Sequence, residues 1–230
     1  MWIKICANTS LEDAQLAADA GADAVGFIFA KSPRRMTREQ VSKITPYLPG
    51  SLETYGLFVD AGFEEIVSAV EDCGFTGVQI HTTQDETLPH CLREYFSSQP
   101  KPLVIMRVIH YGQKFDEQLQ VMRGNRDIDA VLIDSRTPTA VGGTGIRFDW
   151  SAASRSLAAV SSHLRIIAAG GLNPENVAEA IHTLRPWGVD VTTGVEASPG
   201  KKGPVKMRAF IAAARAAAIE LEKTLEAAKV

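Results

Sequence analysis

Asp129-Ala130-Val131-Leu132-Ile133-Asp134 reads as a buried strand that carries a carboxylate to its C-terminal end, and the loop beyond it runs through Gly142-Gly143-Thr144-Gly145 to Phe148-Asp149-Trp150. Four consecutive apolar residues without alternation suit a parallel strand covered on both faces. A glycine turn just past such a strand can offer backbone N–H groups to an anion. Helical periodicity flanks the segment, over residues 115–124 before it and 150–161 after it. The unit is therefore a strand followed by a helix.

The same unit recurs along the chain. Short apolar runs stand at 3–7, 24–30, 52–59, 77–81, 103–109, 130–135, 165–172 and 189–194, and helical patterns fill 11–20, 37–48, 63–73, 86–97, 115–124, 150–161, 174–184 and 205–227. Strict alternation of this kind predicts an α/β fold, and eight units with no linker or composition break predict one closed (β/α)8 barrel domain over residues 1–230, the TIM-barrel architecture. A doubly wound sheet is the competing topology; it needs an open edge and usually fewer units. Helix punctuation agrees with the segmentation. Asn173-Pro174-Glu175 places a capping side chain before a proline at the first helical position, and Gly21 and Gly74 fall where helices stop.

Composition narrows the function classes. With 230 residues and a formal net charge of −3, the chain has no general basic field, and the pair Lys201-Lys202 is too short for a nucleic-acid surface. Cys6, Cys73 and Cys91 are odd in number and lack CxxC or Cys/His spacing, so neither a disulfide framework nor a metal site is expected. The N-terminal Met1-Trp2-Ile3-Lys4-Ile5 does not read as a signal peptide, and no apolar stretch approaches a membrane span of about 18 residues. A cytoplasmic protein that binds neither nucleic acid nor membrane is the expectation.

In a barrel the strand ends carry the chemistry. Those positions are Cys6, Arg34, Asp60, His81, Arg107, Asp134, Gly170-Gly171 and Thr193-Gly194. Glycine turns after strands six, seven and eight favour a phosphate site, and the absence of a P-loop or GxGxxG pattern argues against ATP or a dinucleotide. Taken alone, Cys6 reads as a small buried hydrophobe, and Cys73 and Cys91 as helix packing residues. Asp134 precedes no immediate helix, so capping accounts for it poorly. His81 lacks a sequence partner that would make it a catalytic base.

Taken together, Lys4-Ile5-Cys6 with Asn8-Thr9, Gly21-Ala22-Asp23-Ala24-Val25-Gly26-Phe27, Ser32-Pro33-Arg34, Val78-Gln79-Ile80-His81, Leu132-Ile133-Asp134-Ser135, Gly142-Gly143-Thr144-Gly145, Gly170-Gly171-Leu172-Asn173-Pro174-Glu175-Asn176-Val177 and Thr193-Gly194-Val195-Glu196 resemble the ordered signatures of the phosphoribosylanthranilate isomerase family of tryptophan biosynthesis. The resemblance runs through nearly the whole chain. It implies an Amadori rearrangement of an aminoaldose phosphate to an aminoketose phosphate without metal or organic cofactor, on a small-molecule phosphosugar, by a monomer or homodimer. Carried over by motif, Cys6 is the general base and Asp134 the general acid. Arg34 would pair with the anthranilate carboxylate and Asp190 with the amine, while Gly143, Thr144, Gly145, Gly170, Gly171, Thr193 and Gly194 would cradle the phosphate.

A free Cys and a free Asp ionise in the wrong order for these roles, so Lys4 or helix N-termini are expected to lower the Cys6 pKa and burial to raise that of Asp134. Ala7 and Thr82 stand where the resemblance leads one to expect glycine, and Thr192 and Thr193 where serine is commoner. Ala7 is easily accommodated if its φ is negative. The stretch 137–141 reads as a lid over the phosphate. Two other readings remain: a histidine-pathway aminoaldose isomerase, against which Cys6 in place of a strand-one aspartate counts, and a non-catalytic phosphosugar sensor, which would be expected to lose the acid or the base.

Overall fold

The computed structural model describes residues 1–81, 85–134, 149–160 and 164–227. Eight parallel strands form a closed barrel in chain order: β1 (Trp2–Ile5), β2 (Ala24–Ile28), β3 (Glu53–Val59), β4 (Gly77–His81), β5 (Val104–His110), β6 (Ala130–Asp134), β7 (Arg165–Ala168) and β8 (Gly188–Val191). Closure is made by β8 against β1, with Trp2 opposite Gly188 and Ile5 opposite Val191. The intervening helices are α1 (Leu11–Asp19), α2 (Arg38–Val41), α3 (Phe63–Cys73), α4 (Leu88–Tyr95), α5 (Phe115–Gly124), α6 (Trp150–Ala158) and α7 (Val177–Leu184). A short antiparallel hairpin, β9 (Glu196–Ser198) and β10 (Lys201–Lys202), leads into α8 (Pro204–Ala227). The closed order excludes the doubly wound sheet.

Strand period 2 divides the core into two layers. Outward-facing residues pack with the helices in one large cluster that includes Ile3, Val25, Phe27, Ile80, Ile133, Val189 and Phe210. Inward-facing ones form a smaller cluster of Trp2, Ala24, Tyr55, Met106, Val108, Ala130, Leu132, Ile167 and Ala169 that fills the barrel. At its foot Trp2 stacks on Trp187 with centroids 5.3 Å apart and meets the Tyr55 ring edge-on, while Glu53 accepts from both Trp2 Nε1 and Tyr55 Oη. The same alternation carries Lys4 and then Cys6 up the barrel axis from Trp2.

Several boundaries differ from the sequence expectation. The helix expected over 37–48 is a single turn, α2, with Thr37 and Gln40 as a reciprocal capping box, followed by a 3-10 turn at Thr45–Tyr47. Pro46 removes an N–H and disfavours helix at the preceding residue, which accounts for the break. The expected strands 165–172 and 189–194 end at Ala168 and Val191. Gly170 and Gly171 take φ of 74° and 68°, and Thr193–Val195 is a 3-10 turn, so the chain leaves the sheet earlier. Asn173 caps as expected: its Oδ1 accepts from Glu175 and Asn176, and Asn176 Oδ1 accepts from Asn173 N–H, although regular helix starts only at Val177. The hairpin β9–β10 was not expected at all.

Candidate active site

At the C-terminal ends of the strands lies a cavity of about 370 Å³. Its lining includes Cys6, Arg34, His81, Asp134, Gly170, Gly171, Asp190 and Thr193. Those candidates come from the ends of six strands, and parallel closure brings them to one mouth. Gly194 is not in the lining; a Cβ there would sit 1.9 Å from the Leu172 carbonyl oxygen, so glycine allows the turn after β8 to lie against the turn after β7. Gly143, Thr144 and Gly145, with the 137–141 stretch and Thr82, lie outside the described residues. Arg107 and Asp60 belong to a neighbouring cavity between the barrel and α5.

Beneath the cavity a buried polar chain crosses the barrel. Lys4 Nζ donates to Asp190 Oδ1 at 2.9 Å and to Gln79 Oε1 at 2.6 Å. An ammonium can only donate, so the Gln79 amide must turn its NH2 toward His81, whose Nε2 is 3.1 Å away. That nitrogen is therefore the acceptor of the Gln79 N–H. Burial opposes the Lys4 charge, but the adjoining Asp190 and Cys6 outweigh it and its pKa is raised overall.

Cys6 is 1% exposed. Burial pushes its thiol pKa up; Lys4 and Lys202 pull it down, Asp190 pushes it further up, and a hydrogen bond from the Ala7 N–H pulls it down. The net direction is upward. The expected lowering by Lys4 is thus present but outweighed, because taking the thiolate out of water costs more than the nearby ammonium groups return. Ala7 has φ of 60°, contrary to the condition under which it would be strain-free. A left-handed alanine costs roughly 1–2 kcal/mol.

Arg34 is clamped. Its Nε and Nη2 donate to the two oxygens of Glu196, each at 2.7 Å, and this hydrogen bonding raises the guanidinium pKa. Both Nη1 hydrogens and the second Nη2 hydrogen remain for an end-on carboxylate. Arg35 is exposed. Lys202 Nζ, 1% exposed, donates to the carbonyls of Cys6 at 2.5 Å and Thr192 at 3.3 Å and lies 3.8 Å from Glu196. The Lys201-Lys202 pair is therefore only half a surface feature. Gln79, Glu196 and Lys202 received no role from the sequence, and Lys4 only that of lowering the Cys6 pKa, although alternation from Trp2 to Cys6 already puts it inside.

The family description for N-(5′-phosphoribosyl)anthranilate isomerase matches residues 3–213. The chain belongs to the phosphoribosylanthranilate isomerase family. It is similar to the N-(5′-phosphoribosyl)anthranilate isomerase of Pelobacter propionicus, at 43% identity over 93% of this chain and 95% of the relative. It is similar also to that of Citrifermentans bemidjiense, at 38% identity over 94% and 98%. Among solved structures, the Thermotoga maritima phosphoribosylanthranilate isomerase superposes with a TM-score of 0.81 at 33% identity, covering 94% of this chain and 99% of the other. A phosphoribosylanthranilate isomerase structure with reduced 1-(o-carboxyphenylamino)-1-deoxyribulose 5-phosphate bound gives 0.78 at 31% identity over the same shares. As a phosphoribosylanthranilate isomerase family member the chain is an isomerase of tryptophan biosynthesis, and the family reaction is the Amadori rearrangement. The histidine-pathway and sensor readings give way to it.

Proposed function

We propose that this isomerase converts N-(5′-phosphoribosyl)anthranilate to 1-(2-carboxyphenylamino)-1-deoxyribulose 5-phosphate with Cys6 as general base and Asp134 as general acid. The observation that carries the assignment is the single cavity mouth shared by Cys6, Asp134, Arg34 and Asp190. Asp134 delivers a proton to the furanose ring oxygen, the C1′–O bond breaks, and the anthranilate nitrogen lone pair forms an iminium. Cys6 thiolate then removes the C2′ proton, the electrons flow to nitrogen, and the enolamine tautomerises to the ketone. Burial favours the thiol in the free protein, but an iminium formed beside the sulfur supplies positive charge where the thiolate needs it.

Arg34 offers its end-on edge to the anthranilate carboxylate, and Asp190, with one oxygen committed to Lys4, offers the other to the amine. Gly170, Gly171, Thr193 and Gly194 serve the phosphate, with Gly143, Thr144 and Gly145 completing the cradle. Consecutive left-handed glycines expose N–H groups without a Cβ in the way, which supports that role. The enzyme works in the cytoplasm on a small phosphosugar, as a monomer or homodimer and without nucleic acid or membrane. Among the described residues no helix is long and apolar enough to cross a membrane. Following the loss of phosphoribosylanthranilate fluorescence, we expect Cys6→Ala and Asp134→Asn each to lower kcat by roughly two or more orders of magnitude. Titration with the reduced product analogue should show binding within a few-fold of wild type. Near-normal turnover in either variant overturns that residue's assignment.

A further inference from the structure

Lys202 reaches the barrel from a hairpin outside it, yet its ammonium is buried at the C-terminal ends of β1 and β8, against the carbonyls of Cys6 and Thr192. Its principal contact is the carbonyl oxygen of Cys6. That carbonyl and the Ala7 N–H belong to one planar trans peptide and point in opposite directions. Gripping the oxygen therefore aims the N–H the other way, and on that side the Ala7 N–H pulls the Cys6 thiol pKa down. The positive φ at Ala7 is the conformational cost of that orientation.

A second contact set links the same ammonium to the substrate side. Lys202 lies 3.8 Å from Glu196, and Glu196 fixes Arg34 through both oxygens and accepts from Gly200 N–H. The hairpin is itself anchored, since Asp13 at the start of α1 accepts from Lys202 N–H at 3.2 Å. The charged groups around Cys6 are Lys4 on the same strand, Asp190 on β8, Arg34 after β2 and Lys202 on β10. Asp134 and His81 share the cavity. Of the cations, Lys4 is matched by Asp190 at 2.9 Å, whereas Lys202 meets its carboxylate only at 3.8 Å. Lys202 pulls the Cys6 pKa down after Lys4; burial lowers its own pKa, and Glu196 and Cys6 act against that.

We propose that Lys202 is a positioning residue for the catalytic base: it holds the Cys6–Ala7 peptide so that a backbone N–H and a buried positive charge both serve the thiolate. This rests on Cys6 being the base. The test separates the two claims by reading the sulfur directly as well as turnover.

Iodoacetamide alkylation of Cys6, resolved from Cys73 and Cys91 by peptide mass, gives the thiolate population against pH. In Lys202→Met we expect the half-point to rise by about one pH unit, the scale of losing an opposite charge close by. kcat at pH 7 should fall about tenfold, with KM within threefold, and Lys202→Arg should recover much of both. Lys201→Met, at an exposed neighbour, should leave both curves unmoved. Should Lys202→Met fold poorly, Lys202→Gln keeps a donor for the carbonyls and removes the charge, with a rise in half-point again expected. An unmoved alkylation curve in the folded neutral variant overturns the proposal. A shifted curve with unchanged kcat leaves the positioning role standing and removes Cys6 as base.

Discussion

At Arg34 the carboxylate pairing is already half spent inside the protein. Glu196 occupies the side-on edge through both oxygens, so a substrate carboxylate bound as proposed would take the end-on edge. A charge-assisted bidentate contact is worth about 1.5–3 kcal/mol, so Arg34→Ala should raise KM by roughly 10- to 100-fold. Arg35→Ala should change it by less than twofold, and equal effects from the two substitutions in steady-state kinetics would mean the wrong arginine has been assigned. Ala7 makes the opposite kind of prediction. Ala7→Gly relieves roughly 1–2 kcal/mol of backbone strain and loses a buried methyl worth about 0.8 kcal/mol, for a net gain of up to about 1 kcal/mol in urea unfolding. A clear loss of stability would refute the strain argument. Gly26 has no such freedom: a Cβ there would lie 2.9 Å from Cys6 Sγ and 3.0 Å from Lys4 Cε. These residue-scale facts were partly legible. Period 2 from Trp2 puts Lys4 and Cys6 on one face, but nothing local marks Lys202, because the partners that bury it are far away in the chain.

Elements were legible wherever period and punctuation agreed. All eight barrel strands stand where apolar runs predicted them, since a parallel strand covered on both faces has little choice of composition. The failures are short-range. Pro46 cuts the second helix, and the β9–β10 hairpin, with strands of three and two residues, is too short for any period to register. Helix α7 ends on Arg185 with φ of 47°, a left-handed C-cap filled by a long exposed side chain. Arg185→Gly should therefore stabilise the protein by about 1 kcal/mol, measured as a higher urea midpoint at unchanged slope. A lower midpoint would show that Arg185 makes contacts that outweigh its backbone strain.

For the molecule as a whole, chemistry and stability occupy opposite ends of one barrel. The Trp2, Tyr55 and Trp187 assembly at the foot is remote from the cavity mouth, so Trp2→Ala should cost about 3–5 kcal/mol of stability while leaving kcat within twofold at temperatures where the variant is folded. A large kcat loss would show that the foot of the barrel governs the site. Buried thiols set a pH dependence as well. Cys73 is pushed up to about 11, chiefly by burial, and Cys6 is raised in the same direction. A raised folded-state pKa means that the folded chain holds the proton longer, so this stabilisation is complete below the unfolded thiol pKa and is lost as pH rises through the folded value. Thermal unfolding should show Tm falling between about pH 9 and about 11, and Cys73→Ala should flatten part of that fall. An equally steep decline in Cys73→Ala would place its origin elsewhere.

The seam between β8 and β1 carries an implication in time. Lys202 is 196 residues from the Cys6 carbonyl it holds, and Asp190 is 186 residues from Lys4. Ribosomes add about 5–20 residues per second, so roughly 10–40 s separate synthesis of Lys4 and Cys6 from synthesis of Asp190 and Lys202. On a nascent chain Cys6 therefore waits for Asp190 and Lys202 until β8 and the β9–β10 hairpin have been made and have docked. Ring closure, among the longest-range pairings in this chain, is also the event that sets Asp190 against Lys4 beside Cys6.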